Sequence, residues 1–163
     1  MRYLIDGYNL LHATGHLAGK VGPHGLEKAR QALLGRLAAL VKTGAAVTVV
    51  FDARGAPPAV EAEQTYQGVR VCYTLDRAAD DLIEDLIRRD SAPRLLTVVS
   101  DDRRLKDAAR RRHCPAPGCL DFFEATEKAP RPARPEEAPE RPPSLSEQEV
   151  KAWLKTFGGA DDE

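Results

Sequence analysis

Aspartates stand directly behind the apolar runs of this 163-residue chain: Asp6 after "YLI", Asp52 after "VTVVF", and Asp101 with Asp102 after "LLTVVS". Aspartate starts turns and helices readily, so any one of them can be structural. Carboxylates that leave several buried strands at the same edge of a sheet form a potential reaction site. A further acidic set, Asp80, Asp81, Glu84 and Asp85, lies within "ADDLIEDLI". At about 100° per residue on a helix, Leu82, Ile83, Leu86 and Ile87 share one face and Asp80 falls at its boundary. The first turn also suits Asp80 and Asp81 because the helix dipole favours negative charge there. Asp80 therefore reads as a site residue, Asp81 as either, and Glu84 and Asp85 as solvated. Carboxylates held together repel and raise one another's pKa unless a cation neutralises them. Hard oxygen ligands without a His/Cys set favour Mg2+ or Mn2+. Such an ion polarises a phosphodiester and lowers the pKa of a bound water, so phosphodiester hydrolysis is the expected chemistry.

Strands and helices must alternate to bring these groups together. Residues 2–6 and "AVTVVF" at 46–51 read as strands buried on both faces. Between them Leu26, Ala29, Leu33, Leu37, Leu40 and Val41 recur at helical spacing, with Pro23 upstream and Gly44 at the stop. After a turn-rich stretch at 53–58, residues 69–74 predict a strand, 79–89 a helix, 95–100 a buried strand and "DDRRLKDAARRR" a helix. The alternation implies an α/β fold with a mainly parallel sheet and helices on both faces. In such a sheet ligands bind at the C-terminal ends of the strands, where Asp6, Asp52, Asp101 and Asp102 stand. Gly7 is expected to let the chain turn after Asp6. Pro115 and Pro117 confine any strand after "AARRR" to an edge or replace it with extended chain, while Leu120, Phe122 and Phe123 are expected to cover the core.

With 42% hydrophobic and 30% charged residues, the chain suits one domain with a sizeable core. No apolar run reaches the roughly 18 residues of a membrane span, and nothing resembles a signal peptide, so a cytoplasmic protein without a membrane partner is expected. Cys72, Cys114 and Cys119 form no C-x-x-C pair, and four scattered histidines add no zinc spacing. The net charge of −1 combines a small basic excess over residues 1–124 with an acidic tail. "ATEKAPRPARPEEAPERPPS" holds half of the twelve prolines and reads as an extended linker over residues 125–143. In "SLSEQEVKAWLKTFGG", Ser144 and Glu147 have capping-box spacing, and Val150, Trp153, Leu154 and Phe157 follow a helical stripe. A short amphipathic helix over 144–159 follows, with residues 160–163 as an acidic end. Alone it is too short to be stable, so it is expected to dock on its own domain, another subunit or a protein partner.

"IDGYNLL", "VVFDA", "ADDLIEDLI" and "VVSDDRRLKDAA", in this order, resemble the YacP-like branch of the NYN domains, relatives of PIN-domain nucleases. The resemblance spans residues 1–124. It implies a PIN-like three-layer α/β/α sandwich and a Mg2+- or Mn2+-dependent acidic site that cuts RNA endonucleolytically. Asp6, Asp80 and Asp101 match the core acidic positions, and Asp52, Asp81 and Asp102 neighbouring ones. Asn9 matches the polar member of "DGYN" and would orient a metal-bound water or a phosphate. Family members act in messenger-RNA decay, in at least one case on the ribosome, which implies RNA as the partner here.

The basic side chains behind the last carboxylates, Arg103, Arg104, Lys106, Arg110 and Arg111, are candidate RNA contacts. On a helix Arg103, Lys106 and Arg110 lie on one side, and Arg104 and Arg111 on another. They would bind phosphates and confer affinity without sequence choice. Tyr8 and Tyr66 could stack on bases. One rival reading is a non-catalytic RNA- or ribosome-binding module that keeps the fold. Another is a phosphatase with a nucleophilic aspartate at the end of its first strand, but that chemistry wants a second aspartate two residues on, where this chain has Tyr8.

Overall fold

Five short strands form a single sheet in the computed structural model, which describes residues 1–17, 22–53 and 62–128. The spatial order is β3-β4-β2-β1-β5, with β1 at Arg2–Asp6, β2 at Ala46–Asp52, β3 at Glu63–Tyr66, β4 at Val69–Thr74 and β5 at Leu96–Val99. β1, β2, β4 and β5 are parallel, and β3 alone runs antiparallel, against β4. Ile5, Val49 and Val99 lie side by side across the three central strands and are fully buried, as their β-branched types favour. The fold is the mainly parallel α/β arrangement with helices on both faces that the sequence pattern predicts.

Helices cover both faces. On one lie α1 (Gly7–Ala13), α2 (Pro23–Lys42) and α5 (Cys119–Lys128), packed through Leu10, Leu11, Leu33, Leu37 and Phe122. On the other lie α3 (Ala79–Arg89) and α4 (Arg103–Arg111), packed through Ile83, Ile87, Leu105 and Ala109. β1 feeds α1 on the first face, whereas its neighbour β5 feeds α4 on the second. The strand ends of β1 and β5 therefore open a crevice where the two connections part.

One strand and two α-helices, β3, α1 and α5, were not foreseen in the sequence pattern. β3 is a polar, exposed edge strand joined to β4 by a two-residue turn in which Gln67 and Gly68 both have positive φ, the geometry of a tight hairpin. α1 begins at Gly7, where a simple turn was expected. Gly7 is helical, and its reason is space: a Cβ there would lie 2.3 Å from Cε1 of the fully buried Phe51.

After α4 the chain runs extended, and the Val98 N–H donates to the Pro115 carbonyl at 2.8 Å, so the proline segment borders β5 without making a strand. Helix α5 then continues through Lys128, past residue 124 where the linker was expected to begin. Its Phe122 is buried and Phe123 half-buried, but Leu120 is exposed, against expectation, because it falls on the outer side of α5. The 144–159 helix, most of the linker and the acidic end lie outside the described residues. Among the described residues no helix is long and apolar enough to cross a membrane.

Candidate active site

Asp6 ends β1 and caps α1. Its Oδ1 accepts the Asn9 backbone N–H at 3.2 Å, and its Oδ2 accepts the Ser100 hydroxyl at 3.3 Å. The residue is 7% exposed, and burial pushes its pKa up to about 6, assisted by the negative charge of Asp80 and opposed by its hydrogen bonds to Asn9 and Ser100. Its two hydrogen bonds offset only part of the cost of burying this carboxylate.

Around Asp6 opens a cleft of about 390 Å³, lined by Tyr8, Asn9 and His12 from α1, Asp52 from β2, Ala78 to Asp80 at the start of α3, and Asp102 ahead of α4. Four carboxylates from four elements thus share one cavity. The pKa of Asp80 is raised, first by partial burial and then by the charge of Asp102, with Arg104 opposing. Asp102 is itself the N-cap of α4, accepting the backbone N–H groups of Arg104 at 2.7 Å and Leu105 at 3.2 Å. Its own N–H donates to Ser100 Oγ at 3.1 Å, so Ser100 ties Asp102 to Asp6 through two hydrogen bonds.

The two consecutive carboxylates after β5 part company. Asp101, which the family resemblance matches to a core position, does not line the cleft. Its Oδ1 accepts the Cys119 N–H at 3.0 Å at the start of α5 and faces Lys106 Nζ at 3.6 Å. Its N–H donates to Asn9 Oδ1 at 3.3 Å, so it braces Asn9 from behind. Asp102, matched only to a neighbouring position, is the one that faces Asp6 and Asp80. Asp81 also stays outside the cleft, held by Arg104 at 2.8 Å.

The basic helix divides as its periodicity predicts. Arg104 binds Asp81 and Glu84, and Arg111 reaches Glu84 at 3.9 Å, both on the side facing α3. Arg103 and Arg110 share Asp107, at 4.0 and 3.5 Å, and the Arg103 side chain is 95% exposed. Arg104 is thus a brace between helices, and its pKa is raised by the two carboxylates it binds. Tyr66 packs against the core and does not line the cleft. Tyr8 does line it: its ring sits edge-on to Phe51 at 5.2 Å, and the buried Arg30 donates to its hydroxyl at 3.5 Å.

Ser100 and His12 carry no signal in the sequence pattern that marks them for the site. His12 lies one helical turn beyond Tyr8, and recognising α1 as a helix would have placed both on one face.

The donor set suits a hard divalent cation, since the cleft offers carboxylate oxygens without soft ligands. Among the described residues no three His, Cys, Asp or Glu side chains surround a single point. Mg2+ commonly takes only one or two carboxylates and completes its shell with water and phosphate oxygens, so the arrangement fits such an ion.

A model of the YacP-like NYN domain family matches residues 3–156. The crystal structure of Rae1 (YacP) from Bacillus subtilis is 27% identical, with a TM-score of 0.63 over 78% of this chain and 74% of that chain. A point-mutant structure of the same protein is 26% identical, with a TM-score of 0.63 over 77% of this chain and 74% of that chain. No curated protein sequence matches.

Proposed function

Because this chain belongs to the YacP-like NYN domain family and has its PIN-like nuclease fold, we propose that it is a metal-dependent endoribonuclease. The observation that carries the proposal is the convergence of Asp6, Asp52, Asp80 and Asp102 from four separate elements on one cleft at the C-terminal edge of the sheet. Burial first, and then the charge of a neighbouring carboxylate, raises the pKa of Asp6 and of Asp80, and a bound cation would offset both costs.

One or two of Asp6, Asp80 and Asp102 would hold Mg2+ or Mn2+ directly, the rest reaching it through bound water, and Asp52 lines the same cleft. When bound, the ion would polarise the phosphodiester and activate a water. Asn9 lines the cleft with its Oδ1 engaged by the Asp101 N–H, which leaves its NH2 as the donor end for a phosphate oxygen. Ser100 keeps Asp6 and Asp102 in register. Tyr8, pinned by Phe51 and Arg30, offers a ring against which a base can lie. The substrate in this reading is RNA, with messenger RNA on the ribosome as the setting the family suggests.

The test is incubation of single-stranded RNA with Mg2+ or Mn2+, comparing the parent chain with Asp6→Asn. Internal cuts leaving 5′-phosphate and 3′-hydroxyl ends, lost in the variant and in chelator, support the reading. Equal cleavage in chelator, or by the variant, overturns it.

A further inference from the structure

Helices α3 and α4 carry opposite charges at their two ends. At the cleft end stand Asp80, Asp81 and Asp102. At the far end, where the parallel strands begin, the exposed side chains are Arg88 and Arg89 of α3, Arg110 and Arg111 of α4, Arg112 at its C-cap, and Arg94 in the 3-10 turn before β5. Cations in the last turn of a helix complement its dipole, which accounts for the four within the helices. It does not account for Arg94, which belongs to neither helix.

The charge is neutralised only in part, since Arg88 pairs with Asp85, Arg110 with Asp107 and Arg111 with Glu84, while Arg89, Arg94 and Arg112 have no carboxylate partner among the described residues. Asp90 is held by Arg2 in a two-pronged pair at 2.6 and 2.8 Å. Asp85 is divided between Arg77 and Arg88, and Glu84 between Arg104 and Arg111. Arg112 donates to the Asp90 carbonyl at 2.7 Å, a contact that leaves its charge intact. Among the described residues Arg89 and Arg94 form no ion pair. Between the two helices at this end is a groove of about 320 Å³, floored by Ile87 and Ala108 and walled by Arg88, Arg111, Arg112 and Glu84.

We propose that this basic end of α3 and α4 is a second RNA-binding surface, which holds the phosphate backbone of substrate RNA lying outside the cleft. The inference rests on the ribonuclease reading. Planar guanidinium forks match phosphate oxygens, and exposed arginines lose little hydration on making such contacts. An 11-residue helix is about 16 Å long, so only an RNA extending several nucleotides past the scissile bond reaches both places. The surface therefore selects long over short substrates and leaves the bond-breaking geometry untouched.

The experiment measures RNA binding by fluorescence anisotropy over a salt series, in the Asp6→Asn background so that nothing is cut. Arg89→Gln/Arg94→Gln/Arg112→Gln is compared with its parent and with the triple lysine variant. An RNA of about 30 nucleotides should bind the glutamine variant roughly ten-fold or more weaker at 0.1 M salt, with the log–log salt slope shallower by about 2, while a dinucleotide, too short to reach from the cleft to the basic end, shows a difference of less than about two-fold. The lysine variant should recover most of the slope. Arg89→Gln/Arg94→Gln makes the same comparison without touching the Arg112 contact should the triple variant be unfolded by circular dichroism. Unchanged affinity and slope for the long RNA would overturn the surface alone, provided the unmutated chain cleaves RNA with metal. Polyglutamate displacing the long RNA as well as oligouridylate does would overturn RNA as its ligand. Failure of the parent to bind long RNA would remove both the surface and the ribonuclease reading.

Discussion

The two ends of α3 and α4 are built on different terms. At the acidic end, Asp6 is buried, its pKa is lifted to about 6, and Gly7 beside it leaves room for Phe51 only because it has no side chain. At the basic end, Arg89 and Arg94 stand in solvent without an ion pair among the described residues, while Arg88 meets Asp85 and Arg112 donates to the Asp90 carbonyl. The first arrangement is maintained against its own electrostatic repulsion by a packed core. The second costs almost nothing to maintain, because hydrated surface cations hardly affect folding.

That contrast can be broken most directly at Asp6. Asp6→Asn keeps the α1 cap, since asparagine caps helices as well as aspartate does. RNA cleavage should nevertheless fall by about 10³-fold or more, a loss typical of removing a charged group from the reacting centre. Asp102→Asn should lower the rate more than Asp101→Asn, because only Asp102 lines the cleft. Initial rates in Mn2+ for the two variants check this, and a larger loss in Asp101→Asn would restore the ranking implied by the family resemblance.

Gly7→Ala should destabilise the protein by about 2–4 kcal/mol in urea unfolding, since a Cβ there would overlap the ring of the fully buried Phe51. A change below about 0.5 kcal/mol would show that the ring adjusts freely.

Asp6 also makes stability depend on pH. Its carboxyl titrates near 3.8 when unfolded and near 6 when folded, so below pH 4 it is protonated in both states and carries no penalty. Between about pH 3.8 and pH 6 the unfolded carboxyl ionises while the folded one stays protonated, so about 2–3 kcal/mol of stability is lost across that window and stays lost above it. In metal-free buffer at pH 8, Asp6→Asn should therefore melt several degrees above the parent, and the gap should close below pH 4. Adding Mg2+ at pH 8 should raise the melting temperature of the parent more than that of the variant. The smallest effect belongs to the basic end: Arg89→Gln and Arg94→Gln should each shift stability by less than about 0.5 kcal/mol, and a larger shift in thermal melts would mean that these side chains support the fold.

Much of the site was legible in the chain. Apolar runs ending in aspartate foretold β1, β2, β5 and the edge where Asp6, Asp52 and Asp102 meet, because burial on both faces leaves a strong composition signal. Helical spacing likewise placed Asp80 at the boundary of α3. The misses have physical reasons. β3, "EQTY", is exposed and so lacks alternation, although the Gln67–Gly68 pair after it was a usable hairpin signal. α1 is short and opens on a glycine, which argues against a helix unless Phe51 is known to press on it. Leu120 counts as core by type alone, and only the orientation of α5 exposes it.

The sequence by itself determined the layered α/β fold and the acidic strand ends. These follow from hydrophobic periodicity and from the chemistry of carboxylates, which are properties of residue order and type. Tertiary structure alone decided which of Asp101 and Asp102 faces the cleft, since consecutive side chains leaving β5 diverge and the start of α5 captures the first. It also decided that Ser100 links Asp6 to Asp102 and that Arg104 braces α3 instead of waiting for phosphate. Such assignments depend on distances between elements far apart in the chain, and those distances are set by packing.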